Sequence, residues 1–381
     1  MMKPNLFVAV LQMLVIPSII AADVDLLRLP DGALQPMAAT DAQGAVHLVW
    51  LQGEPKACDV YYQRLPGGRP PGSAPVRVNR TPGNAIAIGT IRGAQIAIGR
   101  SGRVHVVWNG SSTPGHNSSS GAPLLYSRLD ESGNGFEPER NLMGRTSLLD
   151  GGASVAADRS GGVYVLWHAS PGAGLNDESN RRVFLARSAD DGRTFHAEVP
   201  ISLADGVCSC CSLRAVTDRD GSLFVLYRSA RSMTERPITL LASIDRGMTF
   251  SQIVTDPWIV GACPMSSGSL LDGPNGVLAA WETNARIRTM VVQPQSQKPG
   301  SATPASMGDR ARHPALAINA RGETLCAWAE GTGWQKGGRV DWCLLDASGR
   351  PVGEIASHPG LPVWSYPAAW VTGDSRFVIA F

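Results

Sequence analysis

Two short motifs gather most of the cysteine in this chain: Cys208-Ser209-Cys210-Cys211 and, further along, Cys263-Pro264-Met265. Thiolates and a thioether are soft donors. Cys208, Cys210, Cys211, Cys263 and Met265, with His313 as a further donor, therefore suit copper or zinc. The same cysteines can instead close two disulfides, or keep a thiol or vicinal disulfide for redox chemistry. The residues alone leave these three open. The total of seven cysteines is odd, so at least one stays outside any intrachain pair. A second set can hold anions or move protons: Gln35, His168, Arg228, Glu282, Arg312, His313, Glu330 and Tyr366. What either set can do depends on the elements that carry it.

Those elements come from a repeat. A turn ending in Gly is followed by alternating apolar residues and an aromatic six positions on, as in Gly44 to Trp50, Gly102 to Trp108, Gly161 to Trp167, Gly221 to Tyr227 and Gly322 to Trp328. Gly276 to Trp281 is one residue shorter, and Ser375 to Phe381 replaces Gly with Ser. These apolar, β-branched runs between Asp/Gly turns are strands, each preceded by a short small-residue strand such as Ala153 to Ala157. Together they predict the inner hairpin of a propeller blade, buried on both faces. The aromatics recur every 47 to 60 residues, which fits one four-stranded blade per repeat. The fold expected is all-β, a single β-propeller of seven blades by repeat count, with a six-bladed ring as the alternative. The seventh hairpin ends at Phe381, so its blade needs an outer strand from elsewhere, and Asp23 to Leu29 is the donor expected.

Composition narrows the setting. Lys and Arg number 34 against 32 Asp and Glu, with no basic run, which argues against nucleic acid as a partner. Lys3, the apolar stretch Leu6 to Ile20 and the small pair Ala21-Ala22 predict a signal peptide over 1–22 and a propeller over 23–381. No later stretch is long enough for a transmembrane helix. A secreted or periplasmic monomer is the expectation, and in that setting disulfides are permitted.

Two turns narrow the fold further. Ser188-Ala189-Asp190-Asp191-Gly192-Arg193-Thr194-Phe195 and Ser243-Ile244-Asp245-Arg246-Gly247-Met248-Thr249-Phe250 both match Ser-x-Asp-x-Gly-x-Thr-Phe. Degenerate forms follow Leu129-Asp130 and Leu345-Asp346. The pattern resembles the Asp box, or bacterial neuraminidase repeat, of the sialidase superfamily. That resemblance implies a turn between the third and fourth strands of a blade, on the face opposite the active site. It also implies glycoside hydrolysis without a required cofactor, by a Tyr nucleophile that a Glu activates and an Arg clamp on the substrate carboxylate. Carried onto this chain, Tyr366 is the nucleophile and Glu282 or Glu330 its base. Arg228 and Arg312 are the clamp. The Arg that opens the first inner strand in sialidases is replaced here by Gln35.

Register places the rest. The starts of innermost strands and the ends of the following strands emerge together around the channel. That ring would hold Gln35, the cysteines, Met265, Arg312, His313 and Tyr366 at the starts, and His168, Arg228, Glu282 and Glu330 at the ends. The ligand expected there is a glycan or another small molecule. Three functions follow: an exo-sialidase-like hydrolase, a non-catalytic carbohydrate- or protein-binding propeller, or a periplasmic protein using the Cys/Met cluster for metal or redox chemistry.

Overall fold

The chain folds as a seven-bladed propeller in the computed structural model, which describes residues 24–111, 122–172, 177–294 and 305–381. The expected leader, 1–22, lies outside these residues. Among the described residues no helix is long and apolar enough to cross a membrane. Six blades carry four meandering antiparallel strands. Blade one runs Ala33–Thr40, Val46–Glu54, Ala57–Leu65 and Val76–Arg77, and blade six runs Ala311–Ile318, Thr324–Glu330, Gly338–Leu345 and Pro351–Leu361. Blade four adds a short strand, Gly206–Val207, beside Leu223–Ala230. Seven blades decide the count against the six-bladed alternative.

The second strand of each blade explains the continuous apolar runs. Val163–Ala169, Leu223–Ala230 and Phe377–Ala380 are buried at every position because neighbouring blades cover both faces. The repeated aromatic lies at or beyond the middle of this strand. Trp50, Trp108, Trp167, Tyr227, Trp281, Trp328 and Phe381 are all 3% exposed or less. Each fills the wedge between two blades, so the core is a ring of seven wedges rather than one central mass.

The inner hairpins turn on one device. Asp41, Asp158, Asp218 and Asn319 each accept, through Oδ1, the backbone N–H groups two and four residues on. Gly44, Gly161, Gly221 and Gly322 then take positive φ, between 79° and 97°, which a side chain would oppose. The two Ser-x-Asp-x-Gly-x-Thr-Phe turns are built alike. Asp190 and Asp245 accept from Thr194 and Thr249, and Ser188 and Ser243 accept from Gly192 N–H and Gly247 N–H. They join the third and fourth strands of blades three and four.

Blade seven closes the ring with three strands. Val24–Leu27 pairs in parallel with Phe377–Ala380, which pairs in turn with Ala368–Val371. The N-terminal strand is thus the donor that the missing outer strand called for. Arg376 pairs with Asp25 across the junction, and Leu29 and Phe381 exchange backbone bonds with the opposite terminus.

Candidate functional site

The channel mouth is shaped where the first strands begin. In blades one and six the inner strand carries a β-bulge, between Leu34 and Met37 and between Arg312 and Ala315. Gln35 and His313 sit in these bulges at φ 55° and 51°, each followed by proline. A left-handed non-glycine residue costs about 1 kcal/mol or more, and a bulge re-aims its side chain. Both side chains are buried in the mouth of the ring, at 0% and 1% exposure.

Five polar groups meet there. Gln35 donates from Nε2 to Ala87 O and Gly89 O at 2.7 Å, and its backbone N–H donates to Ser365 Oγ. Gln95 donates to Gly93 O and Ala94 O. His313 Nδ1 lies 2.8 Å from Ser267 Oγ, and its ring stands 5.5 Å from that of Tyr366. Arg214 donates from Nη1 to Leu213 O at 2.9 Å and Ser212 Oγ at 3.3 Å, and it faces Tyr366. Among the described residues, Gln35 Oε1 and His313 Nε2 are buried without a hydrogen-bond partner, while the buried Tyr366 Oη stands close to both Arg214 and Gln95. Arg214 is only 7% exposed and makes no ion pair among the described residues. Arg214, Ser267, His313 and Tyr366 line a cavity of about 100 Å³. Gly93 makes room for the Tyr366 hydroxyl, because a Cβ there would fall 2.0 Å from Tyr366 Oη.

The electrostatics follow from burial. Burial raises the Tyr366 phenol above its ordinary range, and the facing Arg214 pulls it back down. Burial drives His313 well below the ordinary imidazole range, with Arg312 and Arg214 acting in the same direction, so its ring is neutral. His168 is likewise pushed down to about 3 by burial and by Arg181, and its Nε2 lies 2.7 Å from Cys211 O.

Beside this centre lies a carboxyl of a different kind. Burial raises Glu282 to about 7 against the opposing pull of Arg312 and Arg228. Its Oε1 is 3.6 Å from Arg312 Nε, and its Oε2 has no hydrogen-bond partner among the described residues. Arg312 also reaches a rim depression where Trp334 and Trp364 stand 5.7 Å apart beside Gly89 and Met265. Trp334 is 58% exposed.

The remaining expected residues have other neighbours. Arg228 donates to Ser266 Oγ, Arg236 O and Glu282 O and lies 4.6 Å over the Trp258 ring. Glu330 accepts from Arg310 N–H at 2.6 Å and Trp328 Nε1 at 3.0 Å. The structure thus joins Tyr366 with His313 and Gln35, and Glu282 with Arg312 and Arg228, and it sets Glu330 beside Arg310. Arg214 was missed by sequence reasoning, which placed the start of blade four at Cys210 and Cys211. A signal existed: Gln95, Ser154 and Arg214 occupy the same ladder position, thirteen residues before Trp108, Trp167 and Tyr227.

The cysteines do cluster. Cys210 and Cys263 form a disulfide, while Cys58, Cys208, Cys211, Cys326 and Cys343 are free. Cys208 Sγ lies 3.4 Å from Cys211 Sγ and 3.5 Å from Cys210 Sγ. Burial opposes ionisation of Cys211, but the Cys208 thiol, Arg228 and Ser266 outweigh it and hold Cys211 below the ordinary cysteine range. Met265 turns to the rim, against Gly89, at φ 47°. Cys326 and Cys343 are direct cross-strand partners in blade six and remain thiols.

Comparison with known proteins places this architecture. No protein-family model matches the chain, and no curated protein matches it. Among solved structures it is similar to a protein of unknown function from Dyadobacter fermentans, with a TM-score of 0.57, 14% identity and coverage of 81% of this chain and 94% of that one. A Penicillium chrysogenum α-L-arabinanase complexed with arabinobiose gives 0.53 and 13%, covering 85% and 98%. The Hadza microbial sialidase Hz136 gives 0.51 and 15%, covering 88% and 76%. At such identities the likeness is one of fold: this chain shares the propeller architecture that sialidases and arabinanases use.

Proposed function

We propose that the chain is a sialidase-like propeller that binds a carboxylated glycan at its channel mouth. The observation that carries this is Arg214, a buried arginine with no anionic partner among the described residues, which faces the neutral Tyr366 phenol at the cavity wall. A charge so placed is costly unless paired, and a carboxylate that accepts two of its N–H groups is a fitting partner. The cavity admits a carboxylate but not a sugar ring, so the ring would lie outward, toward Trp334 and Trp364. Fold neighbours named as a sialidase and an arabinanase support a sugar as the class of ligand. Gln35 and His313 then frame the ligand, with Arg312 beside Glu282 behind them. His168 and Arg228 hold the surrounding wall through Cys211 O and the Arg236 and Glu282 carbonyls.

Hydrolysis is a second reading, favoured by Glu282. A carboxyl held near 7, with one free oxygen, is suited to deliver a proton to a leaving group. Tyr366 is the nucleophile in this reading. Arg214 stabilises its phenolate, and Glu330 takes its proton, which leaves Glu282 as the acid. A hydrophobic leader expected at 1–22 and a disulfide support a secreted or periplasmic setting.

The experiment is a crystal soak with sialic acid, alongside a fluorogenic sialoside assay on Tyr366→Phe, Glu282→Gln and Glu330→Gln. A carboxylate seated on Arg214 supports recognition, and a ligand elsewhere defeats it. Turnover that survives all three substitutions rules out the proposed catalytic set.

A further inference from the structure

We propose that Cys208, Cys210 and Cys211 form a three-sulfur copper(I) site that the Cys210–Cys263 disulfide keeps closed. The geometry is suitable. All three sulfurs lie within 4.8 Å of one another. Metal–sulfur bonds of about 2.3 Å in a trigonal plane would set the sulfurs about 4 Å apart, so small side-chain rotations suffice. Cys208 and Cys211 are 1% and 2% exposed, which gives a dry, soft donor set that favours a soft monovalent ion over hard ones.

Two further observations point to a ligand rather than to idle thiols. The first is charge. Cys211 Sγ is 3.6 Å from Ser266 Oγ, the same hydroxyl that Arg228 Nε meets at 3.1 Å. Arg228 ends on carbonyls and a ring and makes no ion pair among the described residues, so a positive charge sits one hydroxyl away from the sulfurs, with Glu282 nearby. It offsets the net negative charge of copper(I) bound by thiolates. The second is independent anchoring. Cys208 N–H donates to Arg228 O, and Ser209 donates from both N–H and Oγ to Glu178 Oε1, which fixes the loop whether or not the disulfide is closed.

The gate is exposed. Cys263 lies in an exposed stretch, 261–263, within reach of an external dithiol. One thiolate of that dithiol attacks Cys263 Sγ, forming a mixed disulfide and releasing Cys210 as a thiolate. The second thiol resolves the mixed disulfide. Cys263 leaves as a thiol, and the external dithiol is oxidised by two electrons. Copper(I) then replaces the protons of the freed thiols, with no electron transferred.

The test uses the full chain under anaerobic conditions, with copper(I) supplied from a competing chelator. Wild type should take up one copper(I) per chain only after reduction by a dithiol. Cys263→Ser should do so without reduction and show a thiolate-to-copper charge-transfer band. Adding Cys208→Ser or Cys211→Ser should abolish uptake. Near-UV circular dichroism identifies which variants keep the fold. A folded Cys263→Ser protein without stoichiometric copper overturns the site. Equal uptake by unreduced wild type overturns the gate. Neither result bears on the Arg214 site.

Discussion

Replacing Glu282 with Gln should stabilise the protein at alkaline pH and leave it nearly unchanged in acid. Burial raises this carboxyl from 4.5 to about 7, so the folded chain holds the proton more tightly than the unfolded chain does. The associated stability is therefore fully present below about pH 4.5, falls as the pH rises through the window, and is lost above about pH 7. The gap between the two values amounts to roughly 3 kcal/mol. Gln has the same shape and cannot titrate, so the variant escapes that loss. Arg312, 32% exposed, stays hydrated without its partner, which limits the cost of the substitution to under about 1 kcal/mol. Urea unfolding of both proteins at pH 4 and pH 8 measures the effect. The stability of the variant relative to wild type should rise by roughly 3 kcal/mol between the two conditions. A difference independent of pH would refute the placement of Glu282 as a buried, proton-holding acid.

Three other predictions follow from separate parts of the molecule. Deleting the chain through Leu27 removes the parallel strand and the Asp25–Arg376 pair, and should cost roughly 3–5 kcal/mol in urea unfolding. It also bares the edge Phe377–Ala380, so light scattering should report self-association. Gly93→Ala would bring a Cβ to 2.0 Å from Tyr366 Oη, and should weaken ligand binding at least about tenfold with circular dichroism preserved. Thiol titration in denaturant should find five reactive cysteines before reduction and seven after.

The ring was legible in the sequence because its physics repeats. Each wedge needs a large ring at one fixed place, so Trp50 through Phe381 recur in register and count the blades. The closing strand was legible for a related reason, since a hairpin ending at Phe381 leaves an unpaired edge that Val24–Leu27 can cover. The channel mouth was harder. Gln35 and His313 were found because they open strands, but their bulges and left-handed backbone carry no local sequence signature beyond the following proline. Arg214 was hidden because the extra strand Gly206–Val207 and the cysteine loop lengthen the entry to blade four. Cys210 pairs with Cys263 rather than with a nearer cysteine, which only the spatial adjacency of blades four and five decides. Arg228 looked like an anion clamp, yet its guanidinium is spent on carbonyls that the sequence cannot place beside it.

The most direct measurement is calorimetric titration of wild type and Arg214→Met with sialic acid and with its neutral methyl ester. Binding of the acid by wild type, lost in Arg214→Met and weakened at least about tenfold for the ester, is the result expected from a buried guanidinium that seeks a carboxylate. Equal affinity for acid and ester, or binding unchanged in Arg214→Met, would contradict it.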